Sequence, residues 1–195
     1  MPRPHRVFPV DSVLHVVNRG NDRRTLFGNA VEYAMFRELL DDSRSRLEMP
    51  LLAFVLMPNH WHLVLQPHTA ADLSRFLHRI TGIHARRMRR ASDTLGEGHV
   101  YQGRYHSRVL ETPRRLINAI RYVEANPRRA GLVARAELWP WSSLNERLRG
   151  AASLDDGPMV LPRDHTWLEQ VNSPSAAKPK PEKRRKSFTP ERQPG

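Results

Sequence analysis

Residues 51 to 66, LLAFVLMPNHWHLVLQ, restrict the fold more than any other stretch of this chain. Two β-rich apolar runs flank Met57, Pro58 and Asn59, which leaves room only for a tight connection, so the runs pair as an antiparallel hairpin. Side chains alternate across a strand, placing His60, His62, Val64 and Gln66 on one face and Trp61, Leu63 and Leu65 on the other. The second set is wholly apolar and must face helices.

The flanking segments supply those helices and the remaining strands. Residues 12 to 18, SVLHVVN, read as a first strand ended by the turn signal RGNDRR. Residues 30 to 47 carry Ala34, Met35, Leu39, Leu40 and Leu47 at helical spacing. A second helix covers about residues 70 to 91, with Leu73, Phe76, Leu77, Ile80, Ile83 and Met88 on one side and Arg75, Arg79, Arg86, Arg87, Arg89 and Arg90 largely on the rest. SDTLGEG is a loop and YQGRYHSRVLE another strand. Thr112 and Pro113 then open a third helix with a cap residue and a proline at the first helical position, and it is expected to stop near Asn126 and Pro127. The order β-α-β-β-α-β-α predicts an α+β fold, a ferredoxin-like or RRM-like sandwich whose antiparallel sheet is covered by helices.

From Asn172 onward the chain has five prolines, seven basic and two acidic residues and almost nothing apolar, which predicts a disordered basic tail over 172–195 and a single domain over 1–171. The whole chain carries +12; without the tail's +5, residues 1–171 keep +7. A field of that sign points to a polyanionic partner, nucleic acid before an acidic membrane surface. No run approaches the roughly 18 apolar residues of a membrane span, and the first ten residues lack the apolar core of a secretory signal, so a soluble cytoplasmic protein is expected. There is no cysteine, so any metal rests on His, carboxylate or amide ligands.

Two imidazoles at i and i+2 on one strand face, His60 and His62, can converge on one ion, although a histidine at such a place is also often structural. The third helix offers the complement. At about 100° per residue, Leu116, Ala119, Ile120 and Val123 form an apolar sector while Arg115, Asn118, Tyr122 and Asn126 line the polar side. Tyr122 and Asn126 lie one turn apart, so an amide that completes the histidine site and a hydroxyl that meets a phosphate would arrive together. The alternative is a surface tyrosine beside a helix C-terminus, where asparagine is common. Arg19, Arg23, Arg24, Arg86, Arg87 and Arg104 are candidate nucleic-acid-binding residues around the histidine face, each also readable as a solvated charge.

MPNHWHLVLQP, YQGRYHS, RYVEANPRRAGLV and WPWSS occur in that order between about Val13 and Asn145, and together they resemble the single-tyrosine HUH transposases, most closely the REP-associated tyrosine transposase branch. The resemblance implies that His60 and His62 are metal ligands, that Mg2+ or Mn2+ is the cofactor, and that Tyr122 is a nucleophile forming a 5′-phosphotyrosine bond with single-stranded DNA beside a hairpin or palindrome. Relatives often place glutamine four residues after the nucleophile as third ligand; Asn126 keeps the spacing and is one methylene shorter. Monomers and homodimers both occur in such families. Two other readings stay open from the residues themselves: a non-catalytic nucleic-acid-binding module, and a hydrolytic metal-dependent nuclease in which Tyr122 only positions the substrate.

Overall fold

The computed structural model describes residues 7–91, 98–150, 154–155 and 165–173. Four strands, β1 (Leu14–Arg19), β2 (Leu51–Met57), β3 (His60–Leu65) and β4 (His106–Val109), form one antiparallel sheet in the order β2-β3-β1-β4. Helices α1 (Ala30–Arg46) and α2 (Ala70–Ala91) flank the hairpin in sequence, and α3 (Pro113–Arg129), α4 (Ser143–Leu148) and α5 (His165–Asn172) follow β4. This strand order is the ferredoxin-like arrangement that the sequence pattern predicts.

Both faces of the sheet are covered. Leu14 and Val16 of β1, Phe54 and Leu56 of β2 and Trp61, Leu63 and Leu65 of β3 pack with Phe36, Leu39 and Leu40 of α1 and Leu73, Phe76, Leu77 and Ile80 of α2. Each fully buried Leu or Phe contributes roughly 1.5–3 kcal/mol, and such residues are concentrated here. On the opposite face Ala53, Val55, Met57 and Val64 meet Leu116, Ile120 and Val123 of α3, joined by Leu144 of α4 and Trp167 and Val171 of α5.

The α3 layer also contains a buried charge. Glu124 is fully buried; its carboxylate pairs with Arg147 and accepts from Ser143 Oγ at 2.7 Å and Trp167 Nε1 at 2.8 Å. Arg147 donates as well to the Leu52 carbonyl, so one carboxylate ties α3 to α4, α5 and β2. A carboxylate removed from water is tolerable only with such partners. The WPWSS segment closes the β2 edge: Leu56 N–H donates to Trp141 O and Trp139 Nε1 to Leu56 O, both at 2.9 Å, and Trp141 stacks on Tyr33 at 5.1 Å. That occupies backbone groups which an exposed edge strand would offer to another chain.

Three sequence expectations change. The strand expected over 101–111 contracts to His106–Val109, because Gly103 adopts φ +64° and its N–H bonds Tyr101 O at 2.9 Å, turning the chain before β4. Helix α3 does not stop at Pro127 but continues to Arg129: the proline forfeits only its own donor, and Ala130 N–H to Asn126 O (2.9 Å) and Leu132 N–H to Pro127 O (3.0 Å) carry the chain past it. Helices α4 and α5 add to the predicted order, and α5 includes Asn172, whose Oδ1 accepts from Ala136 N at 2.9 Å. Residues 92–97 of the predicted loop and 174–195 of the predicted tail lie outside the described residues.

Candidate active site

The register of the sheet extends the histidine face beyond β3. His62 opposes Val17 and His60 opposes Arg19 on β1, while Val17 opposes His106 on β4. By alternation, His15, Val17 and Arg19 therefore share the face of His60 and His62. Helix α3 crosses this face and sets Tyr122 edge-on to His62, with ring centroids 5.7 Å apart, and edge-on to His15 at 6.1 Å. The His60 and His62 rings stand 5.0 Å apart and nearly perpendicular. Seven residues after Tyr122, Arg129 brings its guanidinium to 5.2 Å from the tyrosine ring, within cation–π range. His60, His62, Tyr122, Arg19, Gln102 and His106, with Val17 and Asn18, line a cavity of about 270 Å³.

Each imidazole of the pair has its Nδ1 engaged. His60 Nδ1 lies 2.7 Å from Asn59 Oδ1, and His62 Nδ1 lies 2.9 Å from His15 Nε2. Burial lowers the pKa of His60 to about 4, with the Arg19 charge adding to the effect. His15 falls to about 4 through burial and the charge of Arg108, and His62 falls well below its ordinary value through burial reinforced by His15, His60 and Arg19. These rings are neutral at neutral pH, the form that ligates metal.

Below this face the middle residue of the triplet is pinned. Trp61 is fully buried and donates from Nε1 to Tyr101 Oη at 3.3 Å, and that hydroxyl lies 2.7 Å from His84 Nδ1. Burial pushes the Tyr101 phenol up and His84 down to about 4, so both stay uncharged. The tryptophan thus fixes β3 by packing and by a hydrogen bond, which holds the neighbouring histidines toward α3.

Of the residues singled out in the sequence, His60, His62 and Tyr122 come together. Asn126 is not among the residues lining the cavity; its Nδ2 donates to Tyr122 O at 3.1 Å. Among the six arginines expected around the active face, Arg19 alone lines this cavity. Arg23 and Arg24 are exposed at the turn after β1. Arg86 and Arg87 sit on α2, which covers the other face, and Arg87 donates to Met35 O at 3.2 Å. Arg104 lines a second cavity of about 520 Å³ with Arg75, His78 and Tyr105. The sequence does not single out His15, Gln102, His106 or Arg129, although alternation with Val17 and Arg19 puts His15 on the histidine face. Among the described residues no group of three or more His, Cys, Asp or Glu side chains is arranged to hold a metal. Two neutral imidazoles with engaged Nδ1 atoms fit a divalent ion that takes its other ligands from substrate oxygens and water.

The family profile described as "Transposase IS200 like" matches residues 10–126, a segment that contains His15, His60, His62, Tyr122 and Asn126. The chain belongs to the IS200-like transposase family. Among solved structures, a REP-associated tyrosine transposase bound to a REP hairpin matches this transposase with a TM-score of 0.61 at 19% identity, over 92% of this chain and 98% of that one. A Deinococcus radiodurans R1 protein described as a candidate transposase matches with a TM-score of 0.44 at 20% identity, over 60% of this chain and 91% of that one. No curated protein sequence matches. The first of these likenesses establishes the shared fold, a four-stranded antiparallel sheet packed with helices. No helix among the described residues is long and apolar enough to cross a membrane.

Proposed function

We propose that this transposase cuts and rejoins single-stranded DNA beside a hairpin, through a covalent bond between Tyr122 and a 5′-phosphate. The observation that carries the reading is Tyr122 standing edge-on to His62 in a cavity lined also by His60 and Arg19. The phenol oxygen gives up its proton to solvent and attacks a phosphodiester phosphorus, the bond from phosphorus to the 3′-oxygen breaks, and the leaving strand departs as a 3′-hydroxyl after taking a proton from solvent. The phosphotyrosine remains a diester, so a 3′-hydroxyl reverses the step and reseals or transfers the strand.

A phenol titrating near 10 in its ordinary state is a poor nucleophile at neutral pH. Mg2+ or Mn2+ held by His60 and His62 supplies, when bound, polarisation of the non-bridging oxygens and orientation for in-line attack. Arg19 adds positive charge at the cavity for the phosphate, and Arg129 packs on the Tyr122 ring. Asn126, at the spacing of a third ligand, lies outside the cavity lining with its amide on the Tyr122 carbonyl and would reach the ion through water or after a side-chain rotation. His60, His62 and Tyr122 meet within one chain, so this reading needs no second subunit to complete the site. The net charge of +12 and the likeness to a hairpin-bound transposase support hairpin DNA as partner.

A pure binding module of the RRM type reads nucleic acid on an open sheet face, and here α1, α2 and α3 cover both faces. The test is incubation with a single-stranded hairpin oligonucleotide and Mn2+, followed by denaturing gels and mass spectrometry. Wild type is expected to give a DNA-linked band; Tyr122→Phe is expected to give none while retaining DNA, and His60→Ala to suppress the band at least about 100-fold. An adduct that survives Tyr122→Phe removes the nucleophile, and a released 5′-phosphate without adduct in wild type assigns a hydrolytic nuclease instead.

A further inference from the structure

His60 and His62 differ in what holds their second ring nitrogen. Asn59 Oδ1, an acceptor, lies 2.7 Å from His60 Nδ1, so His60 donates there and keeps a lone pair on Nε2. His62 Nδ1 meets another imidazole nitrogen, His15 Nε2, at 2.9 Å, and either ring can donate across that contact. If His15 donates, neutral His62 carries its proton on Nε2 and has no lone pair for an ion. If His62 donates, its Nε2 is free and matches that of His60. His15 stacks on His62 with centroids 5.1 Å apart and planes within 17°, reaching it from the neighbouring strand. It is not among the residues that line the cavity, so it stands behind the ligand pair and not within it.

We propose that His15 is a positioning residue that accepts the Nδ1–H of His62 and so holds that ring in the tautomer able to ligate a divalent ion through Nε2. The proposal rests on the reading of His60 and His62 as an ion-binding pair. Metal-ligating histidines generally pass their other N–H to an acceptor, which fixes ring orientation and tautomer. Here Asn59 does this for His60 and a third imidazole does it for His62. His15 must then carry its own proton on Nδ1.

Two measurements on the full chain decide it, neither requiring DNA. In metal-free, ¹⁵N-labelled protein, long-range ¹H–¹⁵N spectra are expected to show both His62 and His15 protonated on Nδ1; His62 protonated on Nε2 overturns the proposal even if no variant folds. Mn2+ affinity, read from the electron paramagnetic resonance signal of the free aqua ion, is the second. His15→Phe keeps a flat ring and removes the acceptor, whereas His15→Gln sets an amide oxygen near the position of Nε2. The Phe variant is expected to bind Mn2+ about 10–100-fold more weakly and the Gln variant within about threefold of wild type. Wild-type affinity in His15→Phe, or equal loss in both variants with their fold retained by circular dichroism, overturns it. Failure of the underlying reading looks different: wild type and His60→Ala then bind Mn2+ equally, or neither binds.

Discussion

On the α1/α2 side of the sheet, Trp61, Leu63 and Leu65 meet Phe36, Leu40, Phe76 and Ile80, and the packing is hydrocarbon around one buried hydrogen-bonded chain. On the α3 side the same strand presents His60 and His62 before Val64 enters the core, and the helix that covers them is anchored by Glu124 and its partners. One strand of period two can serve both demands because its two faces are independent. Hydrocarbon on one side lets the other spend buried positions on imidazoles and a cavity. Anchoring by a charge also does what apolar contact alone does poorly: a carboxylate with three fixed donors sets the rotation of α3, and with it the direction of Tyr122 two residues earlier.

The largest effects are expected where this contrast is broken outright. Arg147→Ala leaves the fully buried Glu124 without its counter-charge and is expected to destabilise by about 3–5 kcal/mol in urea unfolding. Phe76→Ala, on the hydrocarbon side, is expected to cost a similar ~3–5 kcal/mol through the cavity it opens. The two separate in what they do to the protein that remains folded. Phe76→Ala should leave Mn2+ affinity unchanged, whereas Arg147→Ala should also lower the rate of covalent adduct formation, because α3 loses a restraint on Tyr122. A cost under about 1 kcal/mol for Arg147→Ala means the charge network does not anchor the helix.

Acid sharpens the same contrast. Burial holds His15, His60 and His84 near 4 and keeps His62 well below its ordinary value, whereas unfolded imidazoles titrate near 6.5. Between those values the unfolded chain binds protons that the folded chain refuses, so stability falls as pH is lowered from about 6.5 toward 4. For the well-buried His62 and His84 the expected slope is up to about 1.4 kcal/mol per pH unit each. With a chelator present, His84→Phe should flatten part of that stability profile, while its adduct formation at pH 7, assayed separately with Mn2+, should match wild type, since His84 lies on the hydrocarbon side. A profile flat from 6.5 to 4 contradicts neutral burial of these rings.

What was legible in the sequence follows the range of the signal. The hairpin, α1, α2 and the meeting of His60, His62 and Tyr122 rest on local periods, two for a strand and 3.6 for a helix, combined with the order of four motifs. His15 was not legible as a partner of His62: alternation puts it on a face, but only the β1–β3 register, with Val17 opposite His62, brings the two rings together. The arginines of α2 were misplaced for a related reason, since a basic helix surface does not say which side of the sheet the helix will cover. The early end assigned to α3 came from a local rule about proline that the following turn overrides. The role of α5 depends on Trp167 reaching Glu124 across 43 residues, for which no local pattern exists.

The smallest effect is expected at Asn126, and it probes whether the α3 side supplies more than Tyr122. The amide is folded back on its own helix, Nδ2 donating to Tyr122 O at 3.1 Å, and the residue does not line the cavity. From that position it reaches an ion only through water or after a side-chain rotation, so Asn126→Ala should weaken Mn2+ binding by about tenfold or less, well short of His60→Ala. Asn126→Gln adds one methylene of reach and is expected to bind Mn2+ at least as tightly as wild type. If Asn126→Ala instead matches His60→Ala, the amide turns from the Tyr122 carbonyl to the ion on binding, and α3 provides a direct ligand as well as the tyrosine. The divide would then run between the hydrocarbon layer and a site built jointly by β3 and α3.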